Sequence, residues 1–302
     1  MREYRGVYTA LITPFIGDEV DYEGLRRNVR FQIENRIDGL VVLGTTAETP
    51  ALTEREKEQI IGTVCEEAAG RIPIIVGTGS NSTRETIEQT RRAKTMGADA
   101  ALIVAPYYNK PSQEGLFRHY EAVALSVECP VIIYNIPGRT GVNIETDTLE
   151  RIAGLPHVAG VKEASGNMSQ VSDVIHRISN SHDHFSVLSG DDSMALPLTA
   201  LGGDGVISVI SNLVPGLVGS MIRNALNGNL EKARQENSRL FPLARAAFIE
   251  TNPVPVKKAM ELCGLPAGPV RLPLWTMSEQ HEKDLERVLR EAGLIPREGE
   301  MR

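Results

Sequence analysis

The sequence predicts an α/β fold: a (β/α)8 TIM barrel followed by a C-terminal helical extension. Three observations predict it. Apolar runs of strand length alternate with amphipathic stretches of helical length eight times within the first 227 residues. The runs are continuous in Val, Ile, Leu and Ala, as in strands covered by helices on the outside. The glycine fingerprint of an open, doubly wound sheet is missing. Gly77-Thr78-Gly79-Ser80-Asn81-Ser82 comes nearest but lacks the third glycine, and no G-x-x-x-x-G-K-S/T occurs.

The elements follow in order. Residues 7–15 read as the first strand and 22–35 as its helix. Residues 40–43 lead to a helix over 54–69. Thr53 and Glu56, placed before and within its first turn, have the spacing of a capping box. Residues 74–77 lead to 83–96, 101–105 to 113–127, and 131–135 to 146–153. Residues 158–164 lead to 168–178, 185–189 to 193–201, and 205–210 to 215–227. The remainder changes character and reads as helices only, over 230–248, 256–263 and 278–292. Pro253, Pro255, Pro266, Pro269 and Pro273 break its connections. Residues 1–227 are thus expected to form the barrel and 228–302 a helical extension packed on it.

Composition narrows the function. The 302-residue chain carries a formal net charge of −7 with no basic block, which argues against nucleic-acid binding. No apolar run approaches the ~20 residues that span a bilayer. Met1-Arg2-Glu3-Tyr4-Arg5 lacks the apolar core of a signal peptide. A soluble, cytoplasmic protein is expected. Cys65, Cys129 and Cys263 are odd in number and far apart, with no C-x-x-C, so they read as buried, reduced thiols.

Lys162 is the most informative residue. It lies inside the apolar run Val158-Ala159-Gly160-Val161-Lys162-Glu163-Ala164, whereas the other lysines fall in charged helical stretches, loops or turns. A buried ammonium is costly, and the usual outcome is a lowered pKa. A neutral amine is a nucleophile toward carbonyls, so the run proposes Schiff-base chemistry. The competing reading is a strand-end lysine that snorkels to solvent or pairs with a carboxylate.

Active sites of barrels form at the C-terminal ends of the strands. Strand alternation is expected to put Lys162 on the face of Gly160 and Val158, with Val161 and Ala159 toward the helices. Gly160 would then leave room beside the lysine stem. Gly44 frees the chain to turn, so Thr45 and Thr46 can converge on an anion such as a keto-acid carboxylate. Tyr134 ends the neighbouring strand and can shuttle a proton to a carbinolamine oxygen. Arg139 can hold a second carboxylate in a bidentate fork. Taken singly, each residue also has a plainer use. Tyr107-Tyr108 can pack the rim, Thr45-Thr46 can cap a turn, and Arg139 can pair at the surface. Asp191-Asp192 reads as a helix cap. His182-Asp183-His184 resembles a metal cluster but falls in a polar loop opposite the active face, so no metal site is expected.

Four motifs in order carry a family resemblance: Gly44-Thr45-Thr46-x-Glu48, Pro106-Tyr107-Tyr108-Asn109-Lys110-Pro111, Tyr134-Asn135-Ile136-Pro137-x-Arg139-Thr140-Gly141 and Gly160-Val161-Lys162-Glu163-Ala164. Asn252-Pro253-x-Pro255-Val256-Lys257 and Arg271-Leu272-Pro273-Leu274 extend it into the tail. The chain resembles the 4-hydroxy-tetrahydrodipicolinate synthase (dihydrodipicolinate synthase) family of pyruvate-dependent class I aldolases over nearly its whole length. The resemblance implies a condensation of pyruvate with L-aspartate 4-semialdehyde, in lysine and diaminopimelate biosynthesis, with no metal or organic cofactor. It implies a homotetramer of tight dimers. It implies that Lys162 forms the imine and that Tyr134 handles protons. Thr45 then links Tyr134 to Tyr108, which arrives from the neighbouring subunit. Thr46 holds the pyruvate carboxylate, Arg139 receives the aldehyde's carboxylate, and Gly190 and Ile207 lie near the lysine.

The family is often inhibited by lysine at the dimer interface, and Asn81, Glu85 and Tyr107 match positions used for that. Glu54 and Lys57 stand where sensitive members often carry histidines, so weak or absent feedback is expected. Ala47 departs from the family's usual glycine, which bears on the turn if that position has positive φ. Two rival readings remain. One is a sister aldolase, an N-acetylneuraminate lyase or a 2-keto-3-deoxy sugar acid aldolase. The other is a catalytically silent, ligand-binding barrel.

Overall fold

A computed structural model describes residues 4–182 and 184–296. Eight strands close into a barrel: β1 (Gly6–Ala10), β2 (Gly39–Val42), β3 (Ile74–Gly77), β4 (Ala100–Val104), β5 (Val131–Asn135), β6 (Val158–Glu163), β7 (Ser186–Ser189) and β8 (Gly205–Ser208). All neighbours are parallel and consecutive in sequence, and β8 closes on β1 with Tyr8 opposite Ile207. Helices α1 (Tyr22–Glu34), α2 (Glu54–Ala68), α3 (Thr83–Thr95) and α4 (Gln113–Ser126) follow the first four strands. Helices α5 (Thr146–Ala153), α6 (Met168–Val174), α7 (Ala195–Ala200) and α8 (Pro215–Leu226) follow the rest, and α6 runs on as a π-turn over Ile175–Ser179. The extension consists of α9 (Leu230–Ala246), α10 (Val254–Leu262) and α11 (Glu279–Glu291).

Three layers of apolar side chains hold this together. One fills the lumen, with Tyr8, Val41, Leu102, Ile132, Leu188 and Ile207 among its members. Two others lie between strands and helices, around Val7, Leu40 and Val76 on one side and Ile103, Ile133 and Val161 on the other. Strands buried on both faces need no polar alternation, which is why their runs are continuous. Thr53 accepts from the Glu56 amide and the Glu56 carboxylate accepts from the Thr53 amide, so α2 starts with a true capping box.

Several expectations are corrected. The first strand ends at Ala10 rather than at residue 15. Phe15–Ile16 instead pairs antiparallel with Glu19–Val20 in a small hairpin turning at Gly17, whose φ is +59°. Helix α10 begins at Val254, because Pro255 sits in its first turn. There its missing N–H has no helical partner to lose, so it starts the helix instead of breaking it. Cys129 is buried, while Cys65 and Cys263 are only half-buried; all three are unbridged. Among the described residues no helix is long and apolar enough to cross a membrane.

The extension is not remote from the barrel mouth. Leu243, Val256, Met260 and Leu285 pack in one cluster with Ile12, Val209 and Leu213. Those three barrel residues follow β1 and β8, so the extension covers the C-terminal rim on that side.

Candidate active site

Strand pairing sets the centre of the site. Tyr134 on β5 and Lys162 on β6 are direct partners in register. The Lys162 ammonium lies 4.2 Å from the centre of the Tyr134 ring, and Lys162 is 6% exposed. Burial lowers the Lys162 pKa to about 7; the Asp192 carboxylate opposes the shift and Arg139 adds to it. Burial also raises the Tyr134 phenol to about 12, against the Arg139 charge and a hydrogen bond with the Thr45 side chain. At neutral pH the pair is therefore a partly unprotonated amine beside a protonated phenol.

The local path of β6 differs from simple alternation. Val158 lies opposite Val131 but Gly160 lies opposite Ile132, so Ala159 is an extra residue in the ladder. The bulge turns Ala159 into the lumen cluster and Val158 out toward the helices, with Val161. A Cβ on Gly160 would come within 2.4 Å of the Ser186 carbonyl oxygen, so this glycine permits a close approach of β7. Room for the lysine stem comes instead from Gly190, where a Cβ would lie 3.0 Å from Lys162 Cε and 2.7 Å from Ala164 Cβ. Ile207 is buried in the same lumen cluster as Tyr134.

The Gly-Thr-Thr turn is a single 3-10 turn, Thr45–Ala47, after β2. Positive φ falls on Leu43 (+56°) and Glu48 (+57°), not on Ala47, so the alanine meets no backbone strain. Thr46 is buried, and its hydroxyl oxygen accepts from Asn252 Nδ2 at 3.0 Å. Arg139 sits in the one-turn helix Pro137–Thr140 and donates to the Asn252 carbonyl at 3.3 Å. A cleft of about 280 Å³ is lined by Thr45, Tyr134 and Arg139 together with Tyr107, Glu85 and Lys57.

Other predicted residues stand outside that cleft. Tyr108 is 89% exposed, with φ +72°. The Asn81 carbonyl accepts from Asn109 Nδ2 at 2.9 Å. Glu54 pairs with Lys57 at 2.8 Å and Arg92 at 3.0 Å, which lowers its pKa. Asp183 lies outside the described residues. His182 Nδ1 bonds the Ile178 carbonyl at 3.1 Å. Among the described residues no three His, Cys, Asp or Glu side chains gather where they could hold a metal ion.

Two groups near the site escape the sequence reading. Asp191 caps its turn as expected, accepting from the Ser193 amide at 2.7 Å. Asp192, however, is buried and takes the Val209 and Ile210 amides at 2.8 and 3.1 Å, near enough to act on Lys162. The linear chain does not mark it, because Asp192 follows the end of the strand in a 3-10 turn where alternation no longer assigns faces. Lys257, one of the lysines that the sequence places in charged helical stretches, loops or turns, is 1% exposed and paired with Glu48 at 2.8 Å. Its apolar flank, Val254-Pro255-Val256, was the legible hint.

Comparison with known proteins follows the same lines. Residues 3–292 match the model of the dihydrodipicolinate synthetase family. The 4-hydroxy-tetrahydrodipicolinate synthase of Protochlamydia amoebophila is 54% identical over 288 residues, covering 95% of this chain and 96% of that protein. The enzyme of the same name from Methanocaldococcus jannaschii is 49% identical over 293 residues, covering 97% and 100%. The crystal structure of dihydrodipicolinate synthase from Thermotoga maritima superposes with a TM-score of 0.95 at 43% identity, covering 97% of this chain and 100% of that one.

Proposed function

This chain belongs to the dihydrodipicolinate synthetase family, and we propose that its barrel condenses pyruvate with L-aspartate 4-semialdehyde to give 4-hydroxy-tetrahydrodipicolinate. One observation carries the mechanism: a buried lysine with a pKa near 7, set in register against a buried tyrosine.

The chemistry follows from those two groups. The neutral Lys162 amine attacks the keto carbon of pyruvate. The carbinolamine oxygen takes a proton from Tyr134 and leaves as water, giving an iminium. The iminium withdraws electrons, so a methyl proton of pyruvate passes to the phenolate left on Tyr134 and an enamine forms. The enamine carbon attacks the aldehyde carbon, and the aldehyde oxygen takes the proton back from Tyr134. The amine of the semialdehyde then attacks the iminium carbon and displaces Lys162, closing the ring and regenerating the free lysine. Thr45 keeps the Tyr134 phenol oriented for these transfers.

The carboxylates divide between two places. The turn carrying Thr46 receives that of pyruvate, and Arg139 receives that of the semialdehyde, as a guanidinium fork suits. Gly190 and Ile207 shape the lumen around the lysine. Tyr108 serves a neighbouring subunit and completes that subunit's proton path. The working assembly on this reading is a homotetramer of tight dimers in the cytoplasm. Residues 1–227 act as the catalytic barrel and 228–302 as its helical extension. The sister-aldolase reading is disfavoured by the names of the relatives and by Arg139 followed by Thr140.

Borohydride reduction in the presence of pyruvate tests the reading. The intact mass should rise by one reduced pyruvate, and peptide mapping should place it on Lys162. No adduct, as a silent barrel would give, or an adduct on Lys257, overturns it. A coupled assay offering each candidate aldehyde with pyruvate separates the synthase from its sister aldolases.

A further inference from the structure

The turn over residues 44–48 enters and leaves through left-handed backbone at Leu43 and Glu48, neither of them glycine. Such residues persist only where the surroundings over-determine them. What surrounds this turn comes largely from the extension, far away in sequence. Glu48 is 3% exposed. Its Oε1 accepts from Lys257 Nζ at 2.8 Å and its Oε2 from the Arg271 amide at 2.8 Å. The Lys257 ammonium also donates to the Thr13 carbonyl at 3.0 Å and to the Pro269 carbonyl, so all three of its donors are used. It stands 4.2 Å from the centre of the Phe15 ring. Thr13 in turn donates its hydroxyl proton to the Ala47 carbonyl at 2.8 Å.

Two lysines of this chain are therefore buried in opposite circumstances. Among the described residues, Lys162 has no carboxylate at ion-pair distance, whereas Lys257 is saturated with acceptors. An amine whose three donors are all engaged is held in place and can anchor a backbone. We propose that Lys257, through its buried pair with Glu48, is a positioning residue that holds the Thr45-Thr46 turn where a keto-acid carboxylate must bind. The proposal rests on the reading of that turn given above. It makes the extension part of the site: Asn252, on the Thr46 hydroxyl, belongs to the same brace. Displacing the turn moves Thr46 against the incoming carboxylate and Thr45 against Tyr134, while Lys162 stays on its own strand.

Three variants of the full chain test this: Lys257→Met, Glu48→Gln and the double variant. Each is measured for thermal stability, KM of both substrates, and the rate of borohydride-trapped adduct formation. Lys257→Met leaves Glu48 buried and unpaired, and it should melt lower. The double variant should regain stability, since neither charge remains. Both should show a pyruvate KM raised by about tenfold or more and slower trapping, with the aldehyde KM changed by less than about twofold. A folded double variant with the wild-type pyruvate KM would overturn the proposal, even if the single variants fail to fold. Equal loss for both substrates would overturn it as well. A wild type that traps no pyruvate sinks the reading of Lys162 instead, and the mutual rescue of stability by the two substitutions then still reports the brace.

Discussion

At the scale of single residues, the site works by withholding water from one amine. Lys162 loses hydration in the lumen and gains only partial compensation from Asp192, so its charged form is disfavoured. The sign is definite: a lysine whose pKa falls from 10.5 to about 7 becomes neutral as pH rises through 7. The trapping rate and kcat/KM for pyruvate should therefore rise with pH and level off about one unit above that midpoint. A limb near the ordinary lysine value would contradict the assignment. Arg139 matters twice here. It disfavours charge on Lys162 and favours ionisation of Tyr134, narrowing the gap across which a proton must move. Gly190 shows how a residue with no side chain contributes, since any Cβ there would press on the lysine stem.

At the scale of elements, patterning was legible and local geometry was not. The eight strand runs and the capping box of α2 were readable because burial on both faces and the Thr53–Glu56 spacing leave plain marks. The hairpin at Gly17 and the bulge at Ala159 were not, because both depend on which strand lies alongside. The bulge is what reversed the expected roles of Val158 and Ala159. Lys57, Glu85 and Tyr107 line the cleft, and a regulatory role for them is a proposal. If free lysine bound there, Lys57, partly compensated by Glu54, would set a cation against its ammonium. Feedback is therefore expected to be weak or absent. Calorimetry with free L-lysine should show no binding at nanomolar to micromolar concentrations, and a saturating heat in that range would refute the expectation.

At the scale of the whole molecule, the proposed function has one chain depend on its neighbour to complete the proton path. Tyr108 is almost fully exposed and held at positive φ, an arrangement that leaves a bulky side chain standing out from the surface. If it serves a neighbour, the consequence is measurable by complementation. Tyr108→Phe and Lys162→Ala should each be nearly inactive alone. Mixed and reassembled, they should recover up to about a quarter of wild-type turnover, because one site in a hybrid pair is then native. Recovery that never exceeds the sum of the separate variants would place Tyr108 outside the partner's site.

Lys162, the Gly-Thr-Thr turn and the Tyr134 strand could be found in the linear chain because strand polarity alone brings them to one rim. Chemistry-bearing residue types at strand ends are a one-dimensional signal. The buried acid Asp192, the bulge, the room at Gly190 and the Lys257–Glu48 brace could not be found that way. Each depends on a contact between segments whose separation in sequence says nothing about their distance. Lysine makes the point most sharply: sequence context hinted that one of them was buried, but only the closed barrel with its extension in place decides which buried ammonium is left unpaired and which is saturated.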